Sequence, residues 1–167
     1  HKRGGHGHVD MRRAIHQSCD VFFYHYSQTI GIDAIATMCR QLGMGEEFPL
    51  PVASQRYGTV PDTAWKQRKY KASWNTYDTV NATIGQGYML ANPLQLAVLS
   101  SRIASGRSLV PRLLSRAKQT GGQPLDIDPE HLAFIRSAMS DVVNGPGTAG
   151  RSRLPLANVQ MAGKTGT

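Results

Sequence analysis

Two Asx-Pro pairs constrain this chain more than anything else in it. Asn92-Pro93 and Asp128-Pro129 each set a short polar acceptor before a proline. A residue fixed near φ −65° without an N–H suits the first turn of a helix and is excluded from a sheet interior. Behind the first pair, Leu94, Ala97, Leu99, Ile103 and Ala104 supply an apolar face that runs to Gly106. Behind the second, Leu132, Ile135, Met139 and Val142 do the same as far as Gly145. Upstream, residues 9–30 predict two short helices meeting at Gln17-Ser18-Cys19-Asp20. Asp10 can cap the first, and Ser18 or Asp20 the second. A third helix follows Asp33 over residues 34–42, with Ile35, Met38 and Leu42 inward and Gly43 as a left-handed stop.

The rest is less periodic. Between 45 and 83, Pro49, Pro51 and Pro61 and the lack of a sustained period predict a long irregular region. Within it the run Trp65-Lys66-Gln67-Arg68-Lys69-Tyr70-Lys71 is most simply a solvated basic loop, and its interleaved aromatics would also suit glycan strands or anionic lipid. Residues 108–114 and 158–167 read as strands. The outcome is a mixed helix and sheet (α+β) chain. Its 167 residues are one domain's worth, and no run approaches the roughly 18 apolar residues a membrane-spanning helix needs.

Lys plus Arg number 19 against 11 Asp plus Glu, a formal charge of +8. That balance suits nucleic acid, an anionic membrane surface or an acidic ligand, and does not choose among them. The chain opens on His1-Lys2-Arg3-Gly4-Gly5 without a methionine and stops at Lys164-Thr165-Gly166-Thr167, which leads us to expect a segment of a longer protein.

Three short motifs stand in order: Ser18-Cys19-Asp20 between helices, Gly85-Gln86-Gly87 before a helix, and Lys164-Thr165-Gly166-Thr167 on a strand. The last has a mechanism of its own. An ammonium attracts a carboxylate, the hydroxyls hydrogen-bond to it, and glycine lets a peptide backbone come close. A strand of that kind can take an extended peptide at a sheet edge.

Together the three resemble the signature of the penicillin-binding transpeptidases: a Ser-x-x-Lys nucleophile, a Ser-x-Asn-like motif between helices, and Lys-Thr-Gly on a core strand. The elongation-specific branch of that family in Gram-negative cell walls is the most similar, through Gly5-His6-Gly7-His8, Ser18-Cys19-Asp20-Val21-Phe22-Phe23-Tyr24, Gly31-Ile32-Asp33 and Ile84-Gly85-Gln86-Gly87-Tyr88. The resemblance implies an antiparallel sheet flanked by helices with a helical subdomain, present here in part. Residues 1–167 would be a partial transpeptidase domain, with the nucleophile segment upstream and final strands downstream. Only 17 residues precede Ser18, too few to hold the family's nucleophile. Ser115-Arg116-Ala117-Lys118 has its spacing but falls after Ser18, in the wrong order.

The implied activity is a peptidoglycan D,D-transpeptidase that cross-links stem peptides through a serine acyl-enzyme and is a target of β-lactams. Ser18 and Asp20 would serve proton transfer and site geometry. Lys164, Thr165, Gly166 and Thr167 would bind the terminal D-Ala-D-Ala carboxylate, and Gln86 would contact the peptide. Implied partners are stem peptides, β-lactams, a SEDS-type glycan polymerase and the elongation complex, with no nucleic acid. The implied location is the periplasmic face of the bacterial inner membrane, with the anchor elsewhere. Two other readings stay open: a basic module binding nucleic acid or anionic surfaces, and a non-catalytic penicillin sensor of the same fold.

Two departures from the family pattern stand out. Asp20 takes the place of the commoner Asn, putting an acceptor-only carboxylate where an amide could donate. Cys19 is unusual as the middle residue. No cofactor is required by the chemistry, yet His6 and Cys19 could belong to a zinc site completed by carboxylates upstream. A Gly-His linker and a buried thiol are the alternative. Cys19 and Cys39 lie on different helices and are not expected to pair. His16, His25 and His131 show no partner pattern.

Overall fold

A computed structural model describes residues 4–52, 56–114 and 121–166. Its described residues are mainly helical: α1 (Met11–His16), α2 (Asp20–Ile30), α3 (Ile32–Gln41), α4 (Thr63–Tyr70), α5 (Thr76–Thr83), α6 (Pro93–Ser105) and α7 (Pro129–Asn144), with a 3-10 turn at Gly150–Ser152. They form two compact units. One joins His1–His25 to Asp128–Thr167, and the other is Tyr26–Ile127.

In the first unit α1 packs on α7. Asp10 caps α1 by accepting from the Arg13 amide at 2.7 Å, as its side-chain type predicts. Ile15 joins Ala138, Val142 and Val143 of α7 in a buried cluster, with Phe23, Ile135 and Ala149 against it. Arg12 Nε donates to Asp141 at 2.6 Å and its Nη2 to Ser137 Oγ at 2.8 Å, fixing the register of the two helices. Leu132 and Val142 are buried as expected, and Asp128-Pro129 opens α7 with the Asp128 side chain accepting from Glu130 N.

In the second unit α3 packs on α5, over a core of Ala36, Met44 and Val60 with Cys39, Met89 and Leu99 against it. The fully buried positions of α3 are Ile32 and Ala36; of the expected face, Ile35 and Leu42 are half-buried, as is Cys39, and Met38 is exposed. The region expected to be irregular holds α4 and α5. Asp62 caps α4 by accepting from the Trp65 amide, and Asn75 with Asp78 forms a capping box on α5. Eight residues with one or two inward positions are too few to show a period, so only the caps announce these helices.

The basic run is correspondingly a helix instead of a loop; Gln67 to Lys71 are exposed as expected, but Lys66 is not. Lys66 is buried, paired with Asp78, with its Nζ 5.9 Å from the Trp74 ring centroid and 5.7 Å from that of Tyr88. Lys69 lies over Trp65 and Tyr70. On α6 the Asn92 cap, Pro93 in the first turn and the Gly106 stop are as expected, and Gln95 completes a capping box; the buried stripe, however, is Gln95, Val98 and Arg102. Gln95 Nε2 donates to the carbonyls of Tyr57 (2.6 Å) and Glu46 (3.2 Å). Arg102 donates to Leu109 O, Gln41 O and the Glu46 carboxylate. The helix thus supplies donors to neighbouring part-buried carbonyls.

The strands expected at 108–114 and 158–167 are absent among the described residues, and so is the sheet. Isolated bridges remain at Thr59 with Leu90 and Arg107 with Pro124. A strand exists through its partner. Around the first segment the backbone bonds close locally, Ser108 N to Gln123 O and Leu125 N to Gly106 O, and Pro111 has no N–H to give. In the second segment, Gly163 N donates to Met139 O and Met161 O accepts from Asn144 Nδ2, which ties it to α7.

Candidate active site

Ser18-Cys19-Asp20 is the stop of α1. Ser18 N donates to Ile15 O at 3.2 Å and Cys19 N to Ala14 O at 2.9 Å, the two crossed bonds of a Schellman motif. The left-handed position falls on Ser18, at φ 54°. The same motif closes α3 with Gly43 and α5 with Gly85, both at positive φ. Cys19 occupies the position after it and is buried, as suits a small apolar side chain there. Asp20 then starts α2 as its first residue. Ser18 therefore terminates one helix, where a cap of the next was also open.

This stop turns the Ser18 hydroxyl toward the last described residues of the chain. Lys164 Nζ donates to Ser18 Oγ at 2.7 Å and to Thr165 O at 2.9 Å, and lies 3.4 Å from Thr165 Oγ1. Partial loss of water around the ammonium pulls its pKa below the usual lysine value, and the Asp20 carboxylate pulls it back up. Thr165 Oγ1 is 2.8 Å from Thr148 Oγ1. The result is a row of polar hydrogens from Thr148 through Thr165 and Lys164 to Ser18. Because Ser18 Oγ accepts from the ammonium, its own hydrogen is left to donate elsewhere, as a proton-transfer group requires.

Ser18, Asp20, Lys164 and Thr165 are thus brought together within the first unit, with Gly166 beside them in the chain. Thr167 lies outside the described residues, as does Ser115-Arg116-Ala117-Lys118. Gln86 belongs to the second unit, exposed in the stop of α5, where Gln86 N donates to Asn81 O. Thr148 was not singled out by sequence reasoning. It sits in a glycine-rich turn whose only local signal is a hydroxyl among glycines, and its contact with Thr165 is tertiary.

The residues do not make up a zinc site by themselves. Zinc needs three or four donors, and among the described residues no three His, Cys, Asp or Glu side chains gather. Both cysteines are free thiols, and burial raises the Cys39 pKa, with Arg40 opposing.

This geometry can be set beside known proteins. The family model for the penicillin binding protein transpeptidase domain matches residues 1–167. Peptidoglycan D,D-transpeptidase MrdA of Acinetobacter baumannii is 37% identical over 99% of this chain and 26% of its own length. Its namesake in Salmonella typhimurium is 34% identical over 99% of this chain and 29% of its own. The chain thus spans less than a third of these relatives. A solved complex between penicillin-binding protein PBP2 and MreC from Helicobacter pylori superposes with a TM-score of 0.91, at 34% identity, over 99% of this chain and 32% of that one. With a Ser-x-Asp stop and a Lys-Thr-Gly segment meeting at hydrogen-bond distance, and with a match from the first residue to the last, this chain belongs to the penicillin-binding-protein transpeptidase domain family.

Proposed function

We propose that the protein containing this chain is a D,D-transpeptidase that cross-links peptidoglycan stem peptides during cell-wall elongation through a serine acyl-enzyme, and that β-lactams acylate the same serine. The observation that carries this reading is the 2.7 Å approach of Lys164 Nζ to Ser18 Oγ. The nucleophilic serine and its lysine would lie in a Ser-x-x-Lys outside residues 1–167. That serine attacks the penultimate D-Ala carbonyl, the C–N bond breaks, and the terminal D-Ala leaves with a proton passed through Ser18. An amine of a second stem then attacks the ester and releases the serine.

Lys164 with Thr165 and Thr167 would hold the terminal carboxylate, while Gly166 leaves room for the peptide backbone. The Thr167 amide would contribute to the oxyanion hole. Asp20 would keep Lys164 charged, and Gln86 would contact the peptide. Residues 158–167 would form a strand of the expected antiparallel sheet once paired by segments beyond this chain. The PBP2 complex with MreC supports an MreC-like partner in an elongation complex, beside a glycan polymerase of the SEDS type. No helix among the described residues is long and apolar enough to cross a membrane, so a periplasmic, membrane-anchored location would require an anchor elsewhere.

Labelling of the full-length protein by a fluorescent penicillin tests this reading. Ser18→Ala and Lys164→Ala should each slow acylation by about 10²-fold or more, in the range of a lost proton-transfer or carboxylate-binding group. No labelling of the wild-type protein would overturn it. A basic binding module is disfavoured because the transpeptidase family model and relatives named as D,D-transpeptidases match over essentially the whole chain.

A further inference from the structure

Thr148 lies in the turn that leaves α7, and three constraints hold it in place. Gly145 N donates to Asp141 O and Ala149 N to Val142 O, so the turn folds back on the helix end. A Cβ on Gly147 would overlap the Val142 backbone, so the turn closes this tightly only with glycine there. Ala149 packs on the core cluster of α1 and α7. From this anchored position Thr148 reaches both arms of the candidate site. Its amide donates to His16 O at 3.1 Å, two residues before Ser18, and its hydroxyl meets the Thr165 hydroxyl at 2.8 Å.

A hydroxyl has one hydrogen and two lone pairs. At Thr165 one lone pair faces the Lys164 ammonium at 3.4 Å. If Thr148 donates to the other, both acceptor positions are filled and the Thr165 hydrogen has to point away from both. That direction suits an incoming carboxylate, which only accepts, and donors arranged in series strengthen one another. We propose that Thr148 is a positioning residue that sets the direction of the Thr165 hydroxyl and so tunes the site for an anionic carboxylate. This rests on the transpeptidase reading above.

The test uses the full-length protein with a penicillin and with the methyl ester of the same penicillin, which lacks the anionic carboxylate. Thr148→Val should weaken the apparent binding constant for the free acid about tenfold, as for loss of one charge-assisted bond. The limiting acylation rate should stay within about twofold, and the preference for acid over ester should shrink by the same tenfold. Thr148→Ser should restore both. Unchanged acid-over-ester preference in Thr148→Val would overturn the proposal, as would a folded Thr148→Ser that is as impaired as Val. If Thr148→Val does not fold, Thr148→Ala is judged by the same criteria. A wild-type protein that no penicillin labels would sink the transpeptidase reading itself, whereas a labelled wild type with an indifferent Thr148 sinks this inference alone.

Discussion

Ser18 carries a left-handed backbone conformation that the two other stops of its kind give to glycine and that Lys71 shares at the end of α4. Three helices here end in the same crossed hydrogen bonds, with Gly43, Gly85 and Ser18 at the left-handed position. For a non-glycine residue that conformation costs about 1 kcal/mol, and strain of this kind persists where function demands the side chain. Ser18→Gly is therefore expected to raise the stability of the folded protein by about 0.5 kcal/mol, after the greater freedom of glycine in the unfolded chain is subtracted. Denaturant unfolding would show it, while penicillin labelling falls. A loss of stability above about 1 kcal/mol would mean that the hydroxyl holds the fold. Asp20 offers a second test. Its carboxylate raises the Lys164 pKa against the desolvation that lowers it, so Asp20→Asn should let the ammonium lose its proton at lower pH. The alkaline limb of the acylation profile should move to lower pH; an unmoved limb would separate Asp20 from Lys164. Residue types and order make Ser18 and Lys164 legible in the sequence. Thr148 is not legible, because its role depends on a hydroxyl 17 positions away in the chain.

At the level of elements, the helices with strong local signals stand where the sequence puts them, and their inward faces do not always match. Asn92-Pro93 and Asp128-Pro129 open α6 and α7 because caps and proline act within one turn. The inward stripe of α6 is Gln95, Val98 and Arg102, since the loops it faces present carbonyls that need donors more than the site needs apolar area. Replacing Gln95 by Leu should cost about 1–3 kcal/mol, since two part-buried carbonyls lose their donor. Thermal unfolding of the variant measures this, and a cost under about 1 kcal/mol would show that water replaces the amide. The short α4 and α5 escape a periodicity argument for the opposite reason: their buried residues include Lys66 and Thr79, which no apolar template counts.

At the scale of the molecule, the first unit is built from the two ends of the sequence, His1–His25 and Asp128–Thr167, and its candidate site exists only through that junction. The Arg12 to Asp141 pair and the shared cluster of Ile15, Val142 and Val143 hold the Ser18 stop beside the segment bearing Lys164. If the nucleophile lies outside residues 1–167, as proposed, this chain expressed alone takes up no fluorescent penicillin; covalent labelling of it would place the acylated residue within these residues. Sequence alone determined where α1, α6 and α7 begin, where α3 and α6 stop, the order of the motifs and the family, because caps, proline, glycine and residue types act locally. Tertiary structure decided which face of α3 and α6 turns inward, that Lys66 is buried, that Met161 and Gly163 bond to α7 instead of to a strand, and that Thr148 meets Thr165. Each of these depends on what a residue packs against or pairs with, and that partner lies far away in the chain.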